Sequence, residues 1–199
     1  LKKAAASPLP LRYQSTLGGV AEQKASVSVG PNLRVGIVSK SGQVQRALIR
    51  FGVPGLAWPT QPGISAELRT ANINLADWQN LIEPSKAGVT GRKSMTQQLP
   101  ALRQVSLEAD GLQVGNERFA KTRVKAIKKD SSWDIQIRGL QPARWPNWPV
   151  TEIAGVFQQQ GDAWLLSPLT LKQPLVNFAG SATWSLKGNQ MTTLKGQLN

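Results

Sequence analysis

Apolar and polar residues alternate with a period of two along much of this chain, and that pattern leaves few folds open. Val105, Leu107 and Ala109 alternate with Ser106 and Glu108. Ala120, Thr122, Val124 and Ala126 alternate with Lys121, Arg123 and Lys125, and Trp133, Ile135 and Ile137 with Asp134, Gln136 and Arg138. A longer run, Val176, Phe178, Gly180, Ala182, Trp184 and Leu186, repeats the pattern near the end. Successive side chains of a strand point to opposite faces, so each run reads as a strand with one apolar and one wet face.

The connections point the same way. Gly115-Asn116, Gly161-Asp162 and Gly188-Asn189 each separate two strand-like runs, and such pairs supply the positive φ that tight hairpins need. Lys40-Ser41-Gly42 and Lys129-Asp130-Ser131 read as slightly longer hairpin loops. About eleven strands result, mostly joined as an antiparallel meander, with few connections long enough for parallel crossovers.

One segment has helical spacing instead. Leu75, Trp78, Leu81 and Ile82 share a face, Asn74 can cap the N-terminus, Asp77 suits the first turn and Pro84 stops the run. A short helix is therefore expected near 75–83, followed by a mobile loop over 84–98. Residues 1–15 read as a poorly ordered lead-in and 16–199 as a single β-rich segment. Within it, Gln141 to Pro149 form a Pro/Trp-rich rigid link. The first residue is Leu rather than Met, so the chain is expected to be a processed piece or an excised fragment.

Composition removes several chemistries. The chain has no Cys and no His, which excludes disulfides, thiol nucleophiles, Cys/His zinc sites and imidazole catalysis. Its carboxylates are scattered. Glu108 with Asp110 and Asp130 with Asp134 are the pairs a glycosidase could use, but they read better as turn and solvent-face acids. No Gly-rich phosphate cradle precedes a helix. No enzyme, catalytic residue, metal or cofactor is expected.

Charge points to an anionic partner: 24 Lys+Arg against 11 Asp+Glu give a formal +13. Residues 1–91 carry ten cations and four anions, residues 92–144 eleven and five, and residues 145–199 three and two. No block of consecutive like charges marks a basic tail. Lys121, Arg123 and Lys125 share one strand face, which is either a solvated surface or a basic outer face for a polyanion. The tryptophans fall mostly in the apolar phase of strands or beside prolines rather than among the cations, so no nucleic acid is expected.

Three segments in order carry a family resemblance. Gly63-Ile64-Ser65-Ala66-Glu67-Leu68 runs into Asn74-Leu75-Ala76-Asp77-Trp78; Val105 to Trp133 forms strand, Gly/Asn turn, long strand and Trp hairpin; Trp184-Ser185-Leu186 precedes Met191-Thr192-Thr193-Leu194-Lys195-Gly196-Gln197-Leu198. Together they resemble the AsmA-like superfamily of Gram-negative envelope proteins, in its YhdP branch. Asn74 stands where that family usually has Asp. The resemblance implies a mostly β fold: a long, strongly twisted antiparallel sheet curved into an open trough. It implies a periplasmic segment of a conduit that carries phospholipid between inner and outer membranes. In such a protein, parts outside this chain would reach both membranes and tether it to the inner one.

The positions expected to line the lipid groove are Val105, Leu107, Val124, Ile135, Ile137, Ile153, Phe157, Phe178 and Trp184, with Lys121, Arg123 and Lys125 facing out. Small inward residues such as Ala109, Ala126, Ala154, Gly180 and Ala182 would leave room for a guest. Two other readings compete. An apolar strand face can be the core of a sandwich or barrel, here a closed β-domain binding an anionic polymer such as single-stranded nucleic acid or polysaccharide. It can also belong to a scaffold that associates through its edge strands.

Overall fold

The computed structural model describes residues 9–16, 22–74, 100–161, 163–185 and 190–199, and no side chain over 184–192. The described residues are β throughout their regular structure, in one open sheet of thirteen strands. The strands are β1 (Leu11–Thr16), β2 (Gln23–Val29), β3 (Leu33–Lys40), β4 (Gln43–Phe51), β5 (Gly63–Asn74), β6 (Leu102–Val114) and β7 (Glu117–Phe119). They continue with β8 (Thr122–Lys129), β9 (Ser132–Leu140), β10 (Thr151–Gln160), β11 (Ala163–Lys172), β12 (Asn177–Ser185) and β13 (Gln190–Leu198). Spatial order follows sequence order, except that β6 pairs with both β7 and β8. The helix expected near 75–83 and the loop over 84–98 lie outside the described residues.

Two expectations need correcting, and a third, a mostly antiparallel meander, holds with one exception. The lead-in over 1–15 contains a strand: Leu11–Thr16 pairs antiparallel with β2, Tyr13 opposite Val27. Its own alternation, Leu11-Arg12-Tyr13-Gln14, already carries the period of two. The loops at 40–42 and 129–131 are tight two-residue turns, with Lys40 paired to Gln43 and Lys129 to Ser132. Ser41 and Asp130 both take φ 51° there. The meander is also not wholly antiparallel, since β4 and β5 run parallel with Leu48 opposite Ser65. Gly115-Asn116 does close a hairpin, with Val114 opposite Glu117.

The chain divides into two compact units, one of Leu1–Leu68 with Met95–Leu102 and one of Arg69–Ser94 with Arg103–Asn199. In the first unit the parallel joint requires the chain to cross over the sheet, and residues 52–62 make that crossing. They lie against the face that carries Gly36: a Cβ there would stand 3.0 Å from the Ala57 carbonyl oxygen and 3.5 Å from the Trp58 ring. Arg50 pins the crossing, donating from Nη1 to the carbonyls of Pro54 at 3.0 Å and Gly55 at 2.8 Å, and from Nε to Glu67 Oε2 at 2.9 Å. Val38 (1% exposed) and Leu48 (7%) are buried on that side. Gly36→Val should lift the crossing from the sheet, at a cost of about 1–3 kcal/mol. Faster proteolytic cleavage within 52–62 is the expected readout.

In the second unit the buried core is small and lies at one end of the strands. Ile73 from β5 packs with Ala109 and Leu112 from β6, flanked by Leu107, Phe119 and Leu140. Among the described residues no helix is long and apolar enough to cross a membrane.

Candidate functional site

Residues directly opposite on neighbouring strands share a face, so the register alone builds the surfaces of the sheet. In the second unit, one line of partners runs Leu107, Val124, Ile137, Ile153, Leu171, Phe178, Leu198. Every member is apolar. The parallel line beside it runs Val105, Ala126, Ile135, Gly155, Leu169, Gly180, Gly196. A third runs Lys128, Trp133, Phe157, Leu166, Ala182, Leu194. The lines cross the strands rather than following them. At a spacing of roughly 4.8 Å, seven strands give each of the first two about 29 Å.

Eight of the nine residues expected in a groove fall on this face: Val105, Leu107, Val124, Ile135, Ile137, Ile153, Phe157 and Phe178. All eight are half-buried. For the ninth, Trp184, the backbone pairs with Trp164 and Met191, and its side chain is outside the described residues. The buried apolar side chains among the described residues are Val38, Ala47, Leu48, Ile73, Ala109, Leu112 and Ala182. A sandwich of this many strands would bury far more, because facing sheets interdigitate along their whole length.

Local packing shapes the face. The Phe178 ring lies over Gly180 of its own strand and that residue's cross-strand partner Gly196; a Cβ at either would run into the ring. Phe178 is therefore floor, not a post standing off the sheet. Phe157 stacks on Trp164 with centroids 4.4 Å apart and planes 9° apart. Lys128 Nζ sits 5.9 Å from the Trp133 ring centroid. One strand end of the face is thus aromatic and basic, and the other closes on the Ile73–Ala109–Leu112 core.

Alternation breaks at Leu165-Leu166-Ser167-Pro168-Leu169 without losing the face. Ser167-Pro168 forms a bulge, with Leu166 opposite Ala182 and Leu169 opposite Gly180. Leu166, Leu169 and Leu171 thereby join the apolar side. Period-two counting misses them because the bulge shifts the phase between Leu166 and Leu169.

The sequence reading also named no groove residue before Val105, yet the first unit has an apolar face of its own. Its lines run Leu11, Val29, Leu33, Phe51, Leu68 and Tyr13, Val27, Val35, Ile49, Ala66. A third runs Ser15, Ala25, Ile37, Ala47, Ile64. The crossing at 52–62 covers the opposite face, so the first two lines stay accessible at Leu11 (71% exposed), Tyr13 (63%) and Phe51 (42%), while Ala47 on the third is buried. Alternation at Ala25, Val27, Val29 and at Ala47, Ile49, Phe51 was the available signal.

The cations expected on the outer face lie off the apolar lines of the second unit. Arg123 pairs with Arg138 and Lys125 with Gln136, all off the apolar lines, and Lys121 precedes β8. Glu108 partly neutralises them, lying 3.4 Å from both Lys121 Nζ and Arg123 Nη2. Desolvation pushes its carboxyl up, but Arg123, the Lys121 hydrogen bond and Arg69 outweigh this and hold it below the usual carboxylate range. Asp134, one of the acids weighed for catalysis, is paired with Lys129. Among the described residues no group of three or more acidic side chains could hold a metal ion.

The chain matches no protein-family model, no curated protein and no solved structure.

Proposed function

We propose that this chain is a lipid-binding segment of a membrane-bridging conduit, in which phospholipid acyl chains lie against the apolar sheet faces while head groups stay in water. The carrying observation is the pair of unbroken apolar lines, Leu107 to Leu198 and Val105 to Gly196, that cross the strands of a half-exposed, single-layer sheet. Transfer into such a surface is worth about 0.8 kcal/mol per CH2, so a bare hydrocarbon has a strong reason to occupy it. Transport further requires similar affinity at each step, and a line of aliphatic side chains without polar anchors provides that. The same reading places the chain in the periplasm, as the AsmA-like resemblance implies, with phospholipid as cargo. The basic outer face keeps the opposite side wetted.

The closed form of the competing reading, a barrel or sandwich, has less support, because among the described residues β1 and β13 each pair with one strand. A photocrosslinking amino acid placed at Ile135 or Ile137 should capture phospholipid from cell extracts, and one at Gln136 or Arg138 should not. Equal capture on both faces would remove the proposal, as would purified chain that carries no extractable lipid by native mass spectrometry.

A further inference from the structure

The link between β9 and β10, on the second unit, carries a feature that a lipid groove does not use. Arg144-Trp145-Pro146-Asn147-Trp148-Pro149-Val150 presents Trp145 and Trp148, each 48% exposed, and Val150, 49% exposed. The two rings hold each other at 5.7 Å and 32°, and the Arg144 guanidinium lies 4.1 Å from the Trp145 centroid. Large aromatics left this bare need a partner that accepts both an apolar body and an N–H tip.

The backbone of the tip is prepared for a poorly hydrated setting. Gln141 Nε2 donates to the carbonyls of Pro146 at 2.7 Å and Trp148 at 2.8 Å, and Trp148 N donates to Trp145 O at 2.9 Å. Trp145 N donates to Pro142 O at 2.9 Å, and Ala143 N to Arg118 O at 2.7 Å. Pro146 and Pro149 have no N–H to satisfy. With several of its backbone groups paired internally or missing, the loop can enter a headgroup layer at reduced desolvation cost, its remaining polar groups meeting water and head groups there. It is also held in shape, so little order is lost on docking.

Charge selects the kind of surface. No acid lies within 144–150, and the chain as a whole is +13. Arg144 stands at the base, ion-paired with Glu117 at 2.6 Å. We propose that the Trp145–Trp148 tip is a bilayer-docking element that inserts both indoles into the headgroup region of a membrane containing anionic phospholipid. This goes beyond cargo binding: it concerns an intact bilayer and a different part of the second unit.

The test is co-sedimentation of the full chain with sucrose-loaded vesicles of phosphatidylethanolamine and phosphatidylglycerol. The Trp145→Ala/Trp148→Ala variant should bind at least about tenfold more weakly than the parent. Trp145→Phe/Trp148→Phe, which keeps ring packing in the link, should retain most of the binding. Glu117→Gln should raise it a few-fold, since each net positive charge near an anionic surface adds attraction. Vesicles with brominated acyl chains should quench the part of the tryptophan emission that the double alanine variant lacks. Unchanged vesicle binding by the double alanine variant would overturn the proposal, as would equal binding to vesicles without anionic lipid. Lipid co-purifying with the chain reports separately on the groove: Ile137→Asp should lose that lipid and still pellet with vesicles. If Ile137→Asp stops pelleting while the double alanine variant pellets normally, docking belongs to the sheet face and not to the tip.

Discussion

Ile137→Asp should strip bound phospholipid from the chain while leaving its fold in place. Ile137 is the middle of the line Val124–Ile137–Ile153, flanked on β9 by Ile135. A carboxylate there would face hydrocarbon, which costs about 2.5–3.5 kcal/mol by insertion scales and corresponds to a loss of roughly a hundredfold in occupancy. The folded chain loses much less, because the residue is only half-buried before any lipid arrives. A stability change within about 1–2 kcal/mol is expected, with the far-ultraviolet circular dichroism retained. Aspartate is the better choice over lysine, whose long stem could lift its charge out of the layer. Gln136→Asp, one residue away on the opposite face, should leave lipid content unchanged. Wild-type lipid content in Ile137→Asp would mean that the apolar lines do not hold acyl chains.

The largest effect on stability should come from a residue with no side chain. Gly139 has φ +84°, and a Cβ there would stand 2.2 Å from the Lys121 carbonyl oxygen. Gly139→Ala therefore combines a left-handed backbone with a clash against main chain, which a rotamer change cannot relieve. A loss of about 3 kcal/mol or more is expected, seen as a lower urea midpoint. Gly161→Ala is the control: its φ is +59°, but nothing lies within 4 Å of the added Cβ, so about 1 kcal/mol should suffice. The difference matters for the candidate site, because Gly139 sits where β9 leaves its pairing with β8 beside the shift between Thr151 and Ile153. Slippage there would turn Ile135 and Ile137 to the wet face. Equal losses for the two substitutions would mean that backbone sign alone matters and that the Lys121 contact does not.

What could be read in advance follows the range over which each signal acts. Hairpins are local, and Gly115-Asn116 or Ser41-Gly42 declare themselves through φ requirements within two residues. Face assignment over β6, β8 and β9 was legible for the same reason: alternation there is uninterrupted. The parallel joint between β4 and β5 was not, because it depends on how residues 52–62 lie across Gly36, and no local rule links Gly36 to Ala57. The bulge at Ser167-Pro168 hides Leu169 and Leu171 from any period-two count, although Pro inside a strand was a hint of it. Tyr13 and Leu11 were overlooked because a strand of only six residues looks like a tail until its partner, β2, is seen. The Trp145–Trp148 link was visible as a Pro/Trp-rich segment; its internal hydrogen bonds through Gln141 were not.

Nearest-neighbour strand order has a consequence for how such a molecule could change length. From β9 onward, among the described residues, every strand pairs only with the strands before and after it in sequence. Duplicating one hairpin would therefore insert two rungs, about 10 Å, and leave every other rung with the neighbours it had. Evolution can stretch or shorten a protein of this design by tandem copying, as one lengthens a ladder.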